Sequence, residues 1–236
     1  MASLETVFRA AWGVMRTNFV SIVVLTLAVN IPINAILEFV PLPEGAGLRE
    51  WGDYFRLQRL LEFWIGTIGA LGMVHITVEA SRGVRLSIGE VFRRAFGDYG
   101  NGLWAQFLYG LVMLVGLVLL VVPGVAVGVY WCFALQAIVV RRCSGWRALE
   151  YSHGTIKGRW WRFFGRFAAL GLLMIVGIVL LSLASGFLPD NFLLDLVKLV
   201  PRDLSISYFA ICFTELYLLS EPGLVQTPTE GAAATT

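Results

Sequence analysis

From Leu103 to Val140 the chain carries no charged residue, and between Arg94 and Arg141 its only charge is Asp98. As one helix rising 1.5 Å per residue, that run would reach about 57 Å, nearly twice the hydrocarbon thickness of a bilayer. It has to fold back inside the membrane. Pro123-Gly124 marks the return, because proline lacks the amide proton that a continuing helix needs yet suits the first turn of a new one. The run therefore reads as a transmembrane hairpin, Leu103–Val122 and Pro123–Val140.

The rest of the composition fits. Of 236 residues 58% are apolar and 14% charged, and the mean hydropathy is +0.76, which points to an integral membrane protein rather than a soluble domain. By the same length criterion Phe19–Val40, about Leu60–Ala80, Phe167–Leu188 and Leu204–Ser220 are four further spans. DNFLLDLVKLVPRD, before the last of them, is too short and too charged to cross and reads as an interfacial helix. The N-terminal segment is expected to stay attached, since the apolar run after MASLETVFRAAWGVMRTNF lacks a small-residue cleavage pattern. Residues 222–236 read as a disordered tail.

Orientation follows from alternate segments. One side collects 13 Lys and Arg and the other 5, so the positive-inside rule puts both termini in the cytoplasm.

Three segments align without a gap: SLETVFRAAWGVM from Ser3, SIGEVFRRAFGDY from Ser87 and SGWRALEYSHGTI from Ser144. Their apolar or small positions fall at helical spacing, and Gly13, Gly97 and Gly154 coincide. Fixed-register self-similarity signals a repeat. The expected fold is all-α: one bundle over residues 1–221, with six transmembrane helices in three pseudo-repeats (about 1–80, 85–140 and 142–221). Each repeat is an amphipathic cytoplasmic helix followed by a transmembrane hairpin.

The third segment lies in the most basic stretch, residues 141–166, with seven Arg or Lys and one acid. Arg141, Arg142, Arg147, Lys157, Arg159 and Arg162 stand among Trp146, Trp160 and Trp161. Beside a span, each cation gains about 1 kcal/mol from anionic lipid, and tryptophan favours headgroup depth. These nine residues are the expected headgroup contacts. A nucleic-acid partner is not needed to explain them.

From Val122 the chain reads VPGVAVGVYWCFALQAIVVRRCSGWRALEYSHGTIKGRWWRFFG. Pro123-Gly124 opening a span, Trp131 within it, Ala148-Leu149 with Ser152, and Lys157-Gly158 with Trp161 resemble the six-span membrane-domain family of bacterial glycerophosphodiester phosphodiesterases and its stand-alone relatives. Tyr130, Gln136 and Arg141 depart from that pattern, so no role is carried over at those positions. The resemblance implies a fold and a bacterial-type inner-membrane location. It does not imply hydrolysis, because the catalytic portion of fused relatives is a separate soluble domain.

Ionisable residues inside spans are costly and mark candidate sites: Glu38, His75, Glu79 and Glu215. His75 and Glu79, four apart, share a helix face, with the geometry of a proton relay or half a metal site. Glu79 also lies where it can meet Arg82 or Arg85. Gly66, Gly69 and Gly72, with Gly124 and Gly128, permit close helix contact. Cys132, Cys143 and Cys212 suggest neither a disulfide framework nor a metal site. No phosphate-cradling loop, nucleophile elbow or HExxH sequence is present.

The expected function is a non-enzymatic accessory or scaffold subunit, without cofactor or metal, touching anionic lipids and other membrane proteins or further copies of itself. The alternative is a transporter component, which predicts a polar mid-membrane cavity lined by Glu215 or His75. A lipid-active enzyme would require convergent acids and a histidine such as His153 at one interface.

Overall fold

The computed structural model describes residues 3–40, 47–119, 121–185 and 192–221. The expected tail, 222–236, and the side chains of Glu38 and Lys198 lie outside the described residues. Among the described residues every regular element is helical. Among these residues four helical stretches are long and apolar enough to cross a membrane: Phe19–Leu37, Arg49–Ser81, Gly124–Arg141 and Trp160–Ala184.

The first helix, α1 (Leu4–Thr17), starts because the Ser3 side chain accepts the Thr6 N–H and Glu5 lies in its first turn; both satisfy or complement the free amides of a helix N-terminus. After Asn18 the chain continues as α2 (Phe19–Glu38). The segment holding Arg49, Arg56 and Arg59, between the first two expected spans, is helix α3 (Leu48–Leu61), which passes through a π turn, Glu62–Gly66, into α4 (Thr67–Ser81). Local ion pairs at i, i+3 sustain it, Arg56 to Asp53 at 2.9 Å and Arg59 to Glu62 at 3.0 Å. A π turn frees carbonyls, and the Tyr99 hydroxyl donates to the Trp64 carbonyl at 2.8 Å.

The uncharged run does fold back. Helix α5 (Ile88–Leu119) and α6 (Val121–Trp131) pack along each other, with Pro123 in the first turn of α6. The returning arm then breaks at Cys132-Phe133 before α7 (Ala134–Arg141). Next come α8 (Gly145–Ile156), α9 (Trp160–Ser185) and α10 (Phe192–Ser220). DNFLLDLVKLVPRD is no separate interfacial helix: α10 runs through Pro201 into the expected sixth span. Ser205 donates to the Pro201 carbonyl at 2.7 Å and Ser207 to the Asp203 carbonyl at 2.9 Å, back-bonds of the kind that support a proline-containing helix in a bilayer.

The three aligned segments share their burial. Val7, Val91 and Ala148 occupy one aligned position and Ala11, Ala95 and Ser152 another, and all six are completely covered. Ser3, Ser87 and Ser144 each stand immediately before a helical segment. The glycine expectations divide. A Cβ on Gly72 would come within 2.7 Å of Leu25, on Gly69 within 3.2 Å of Val29, and on Gly128 within 3.1 Å of Met113, so these three seat neighbouring side chains closely. Gly124 is buried. Gly66 does not fit the expectation, because a Cβ there would meet only Glu62 of its own helix.

The interior at the α6–α7 break is filled by rings. Phe133, fully buried, has Phe163, Phe167, Phe213 and Tyr217 around it at centroid distances of 5.1 to 5.7 Å. On the outside, α9 is barely covered: 6% of its most apolar window is buried, and Leu172, Leu180 and Leu183 are among its exposed side chains.

Candidate functional site

Two helices bring opposite charges together at one end of the bundle. On α4 the i, i+4 pair His75 and Glu79 faces α5, where Glu90, Arg94 and Asp98 follow one another at the same spacing. Residues four apart lie one above the other on a helix face, so the two ladders meet rung by rung. His75 Nε2 lies 3.0 Å from Asp98 Oδ2. The carboxylate can only accept, so the imidazole donates from Nε2. One turn along, Arg94 donates to Glu79 at 2.8 Å and to Glu90 at 2.8 Å, and Arg82 reaches Glu79 at 3.3 Å. The hydrogen bonds from Arg93 and Arg94 hold the Glu90 carboxyl below the ordinary carboxylate range. Its hydrogen bond to Glu90 in turn raises the Arg94 guanidinium.

These groups line a half-open cleft of about 490 Å³. Val139, Val140 and Arg142 from the end of α7 complete it, with Asn101. Arg142 is the one non-glycine residue with positive φ among the described residues, at +48°. A left-handed helix cap is normally glycine or asparagine, since a Cβ there is strained. Arg142 makes no hydrogen bond or ion pair within the described residues.

His75 and Glu79 share one helix face, and of the two partners expected for Glu79, Arg82 or Arg85, it meets Arg82. Arg85 takes no part. Asp98 and Arg94 were missed, although Glu90, Arg94 and Asp98 at i, i+4, i+8 form a polar ladder legible in the sequence. Glu215 is buried on α10, with no hydrogen bond to His75 or to any other described residue. Its neighbour Thr214 receives the Gln136 amide at 3.5 Å. No group of three or more His, Cys, Asp or Glu side chains suited to a metal ion occurs among the described residues.

The basic stretch is dispersed. Helix α8 does not lie flat outside the bundle; it buries Ala148, Leu149, Ser152, Thr155 and Ile156 against α5, α6 and α7. Gly145 makes this possible, since a Cβ there would meet the Asn101 carbonyl and the Ala105 amide at 3.1 Å. Arg141 pairs with Glu221 at 2.7 Å, and Thr155 donates to the other oxygen of that carboxylate at 2.8 Å. Arg159 donates to the Thr155 carbonyl at 2.7 Å. The Trp160 indole donates to the Ala126 carbonyl at 3.3 Å, and Trp146 to Glu150 at 2.9 Å. Arg147, Lys157, Arg162, Trp146 and Trp161 are exposed. Of these cations Arg147 and Lys157 make no hydrogen bond or ion pair among the described residues. His153 stacks on Tyr130 at 4.4 Å and meets no carboxylate among them.

Comparisons with protein-family models, with curated proteins and with solved structures give no match.

Proposed function

We propose that this chain is a non-enzymatic integral membrane protein, an accessory or scaffold subunit that touches anionic lipids and other membrane proteins. One observation carries the reading: α9 leaves the basic, tryptophan-bearing stretch directly, and among the described residues little of its apolar length is buried. Such a helix meets lipid tails or another span along Leu172–Leu183, while Lys157, Arg147 and Trp161 meet headgroups near its start. In this reading the described helices are parts of six spans in three repeats with cytoplasmic termini. The shared burial of Val7, Val91 and Ala148 supports the repetition, and the likeness to the six-span membrane-domain family supports the layout and a bacterial inner membrane.

Purification from native membranes in a detergent-free lipid belt, with mass spectrometry of the bound lipids and neighbouring chains, tests it. Enriched anionic lipid and recurring protein neighbours are expected, with the lipid enrichment reduced in an Arg147→Gln, Lys157→Gln double variant. A bare monomer with no retained lipid or partner overturns it. Labelling of a cysteine at position 147 or 157 from outside intact cells overturns the orientation.

The polar cleft at His75 favours a second reading, a transporter component. It requires water to reach Glu215 along a path through the bundle, which the ring cluster around Phe133 opposes. A cysteine in place of Glu215 that reacts with a water-soluble thiol reagent from both membrane faces supports this second reading; protection from both faces removes it.

A further inference from the structure

The charges lining the cleft balance, with Arg82, Arg94 and Arg142 against Glu79, Glu90 and Asp98. Most are already engaged with one another: Glu79 accepts from Arg82 and Arg94, and Glu90 accepts from Arg94. Two groups are left over. One is the Arg142 guanidinium, which has no acid of its own. The other is Asp98, which uses Oδ2 on His75 and keeps Oδ1. A surface of zero net charge with one spare cation and one spare anion complements a ligand built the same way, rather than a plain anion or a plain cation.

Three features narrow the ligand. The planar fork of an arginine suits a phosphate. The carboxylate suits a primary ammonium, which donates hydrogen bonds; a quaternary ammonium has none to give and is held by aromatic faces, and no Phe, Tyr or Trp lines this cleft. The cleft also joins apolar span residues, Val139 and Val140, to juxtamembrane charges, and its volume of about 490 Å³ lies in the range of small-molecule sites. Finally, Arg142 holds a backbone conformation in which glycine or asparagine would sit more easily. Retained strain at a charged residue on a cleft wall points to use of that side chain.

We propose that the cleft between α4, α5 and the end of α7 binds a phosphate carrying a primary ammonium, either as free phosphoethanolamine or as the headgroup of an ethanolamine phospholipid, with Arg142 on the phosphate and Asp98 on the ammonium. This goes beyond the surface contacts of Arg147 and Lys157, and either can fail without the other.

The test uses the full chain in detergent and titrates phosphoethanolamine, phosphocholine, ethanolamine and inorganic phosphate by calorimetry. Phosphoethanolamine is expected to bind at least about tenfold more tightly than each of the other three, the range that loss of one charge-assisted hydrogen bond represents. Arg142→Asn and Asp98→Asn each lower that affinity about tenfold or more, and Arg9→Gln does not. Arg142→Asn also relieves the left-handed strain, so its thermal midpoint should be unchanged or raised, and weakened binding in a well-folded variant cannot be assigned to unfolding. A parallel arm compares retention of ethanolamine and choline phospholipids after purification from mixed vesicles. Selectivity in the free ligands or in the lipids supports the site, and identifies which source it accepts. Equal binding of the choline and ethanolamine forms in both arms, or full binding by Arg142→Asn, overturns it.

Discussion

The Ser152 hydroxyl of α8 accepts the Phe133 amide at 3.1 Å and donates to the Tyr130 carbonyl at 2.7 Å, closing from outside the gap that the α6–α7 break opens. Phe133 is fully buried and Tyr130 half-buried, and an interrupted helix in a membrane is tolerated only where its freed amides and carbonyls find partners. Ser152→Ala leaves both without one and is expected to destabilise the protein by about 1–3 kcal/mol. Urea unfolding in mixed micelles, followed by tryptophan fluorescence, measures it. A change below a few tenths would mean that the backbone closes the gap unaided.

That hydroxyl also shows what the sequence concealed. Position 152 aligns with Ala11 and Ala95, so the apolar stripe of the third segment was legible and its buried face correctly identified. The purpose of a hydroxyl there was not, because Cys132-Phe133 contains no glycine or proline to announce a break. The cleft was half legible for a related reason. His75 and Glu79 lie on one helix and follow from its period, whereas Asp98 and Arg94 face them only through the crossing of α4 and α5. Helix crossing is set by close contacts such as Gly72 on Val91 and Gly102 on Leu71. The extent of α3 was hidden because its arginines stand between two apolar runs, while in the fold Arg56 and Arg59 form i, i+3 pairs.

Two glycines of α8 should respond in opposite ways. A methyl on Gly145 would press against the backbone of α5, which cannot turn aside as a side chain can, whereas Gly154 has nothing within 4 Å of a built Cβ. Gly145→Ala is expected to cost about 1–3 kcal/mol through overpacking. Gly154→Ala should be neutral or stabilise by about 0.5–1 kcal/mol, because alanine loses less backbone entropy in a helix. The same unfolding titration, run on both variants, distinguishes them; equal effects would contradict the seating of α8 on α5.

The Glu90 carboxyl gives the acid limb of stability a specific origin. Hydrogen bonds from Arg93 and Arg94 depress its folded-state pKa, so its contribution is present above the ordinary carboxylate pKa and is lost as pH falls through the depressed value. Thermal midpoints recorded from about pH 6 down to about pH 3 should fall less steeply for Glu90→Gln than for the unaltered chain. Parallel curves would show that the Arg93 and Arg94 bonds do not persist in solution.

Phe133 is where the break, α9 and α10 converge, and its replacement tests whether the bundle centre is a packed junction or a path. The ring is completely covered and touches four others, so Phe133→Ala removes contacts that no lipid tail can replace from outside. A cost of about 3 kcal/mol or more is expected, and Phe133→Leu should recover a good part of it by refilling the volume. Packing rather than transfer from water supplies the energy inside a membrane, so the loss should persist across detergents of different chain length. A Phe133→Ala variant as stable as the parent, and newly permeable to small polar solutes in sealed vesicles, would instead identify this junction as the plug of a conduit and turn the functional reading towards transport.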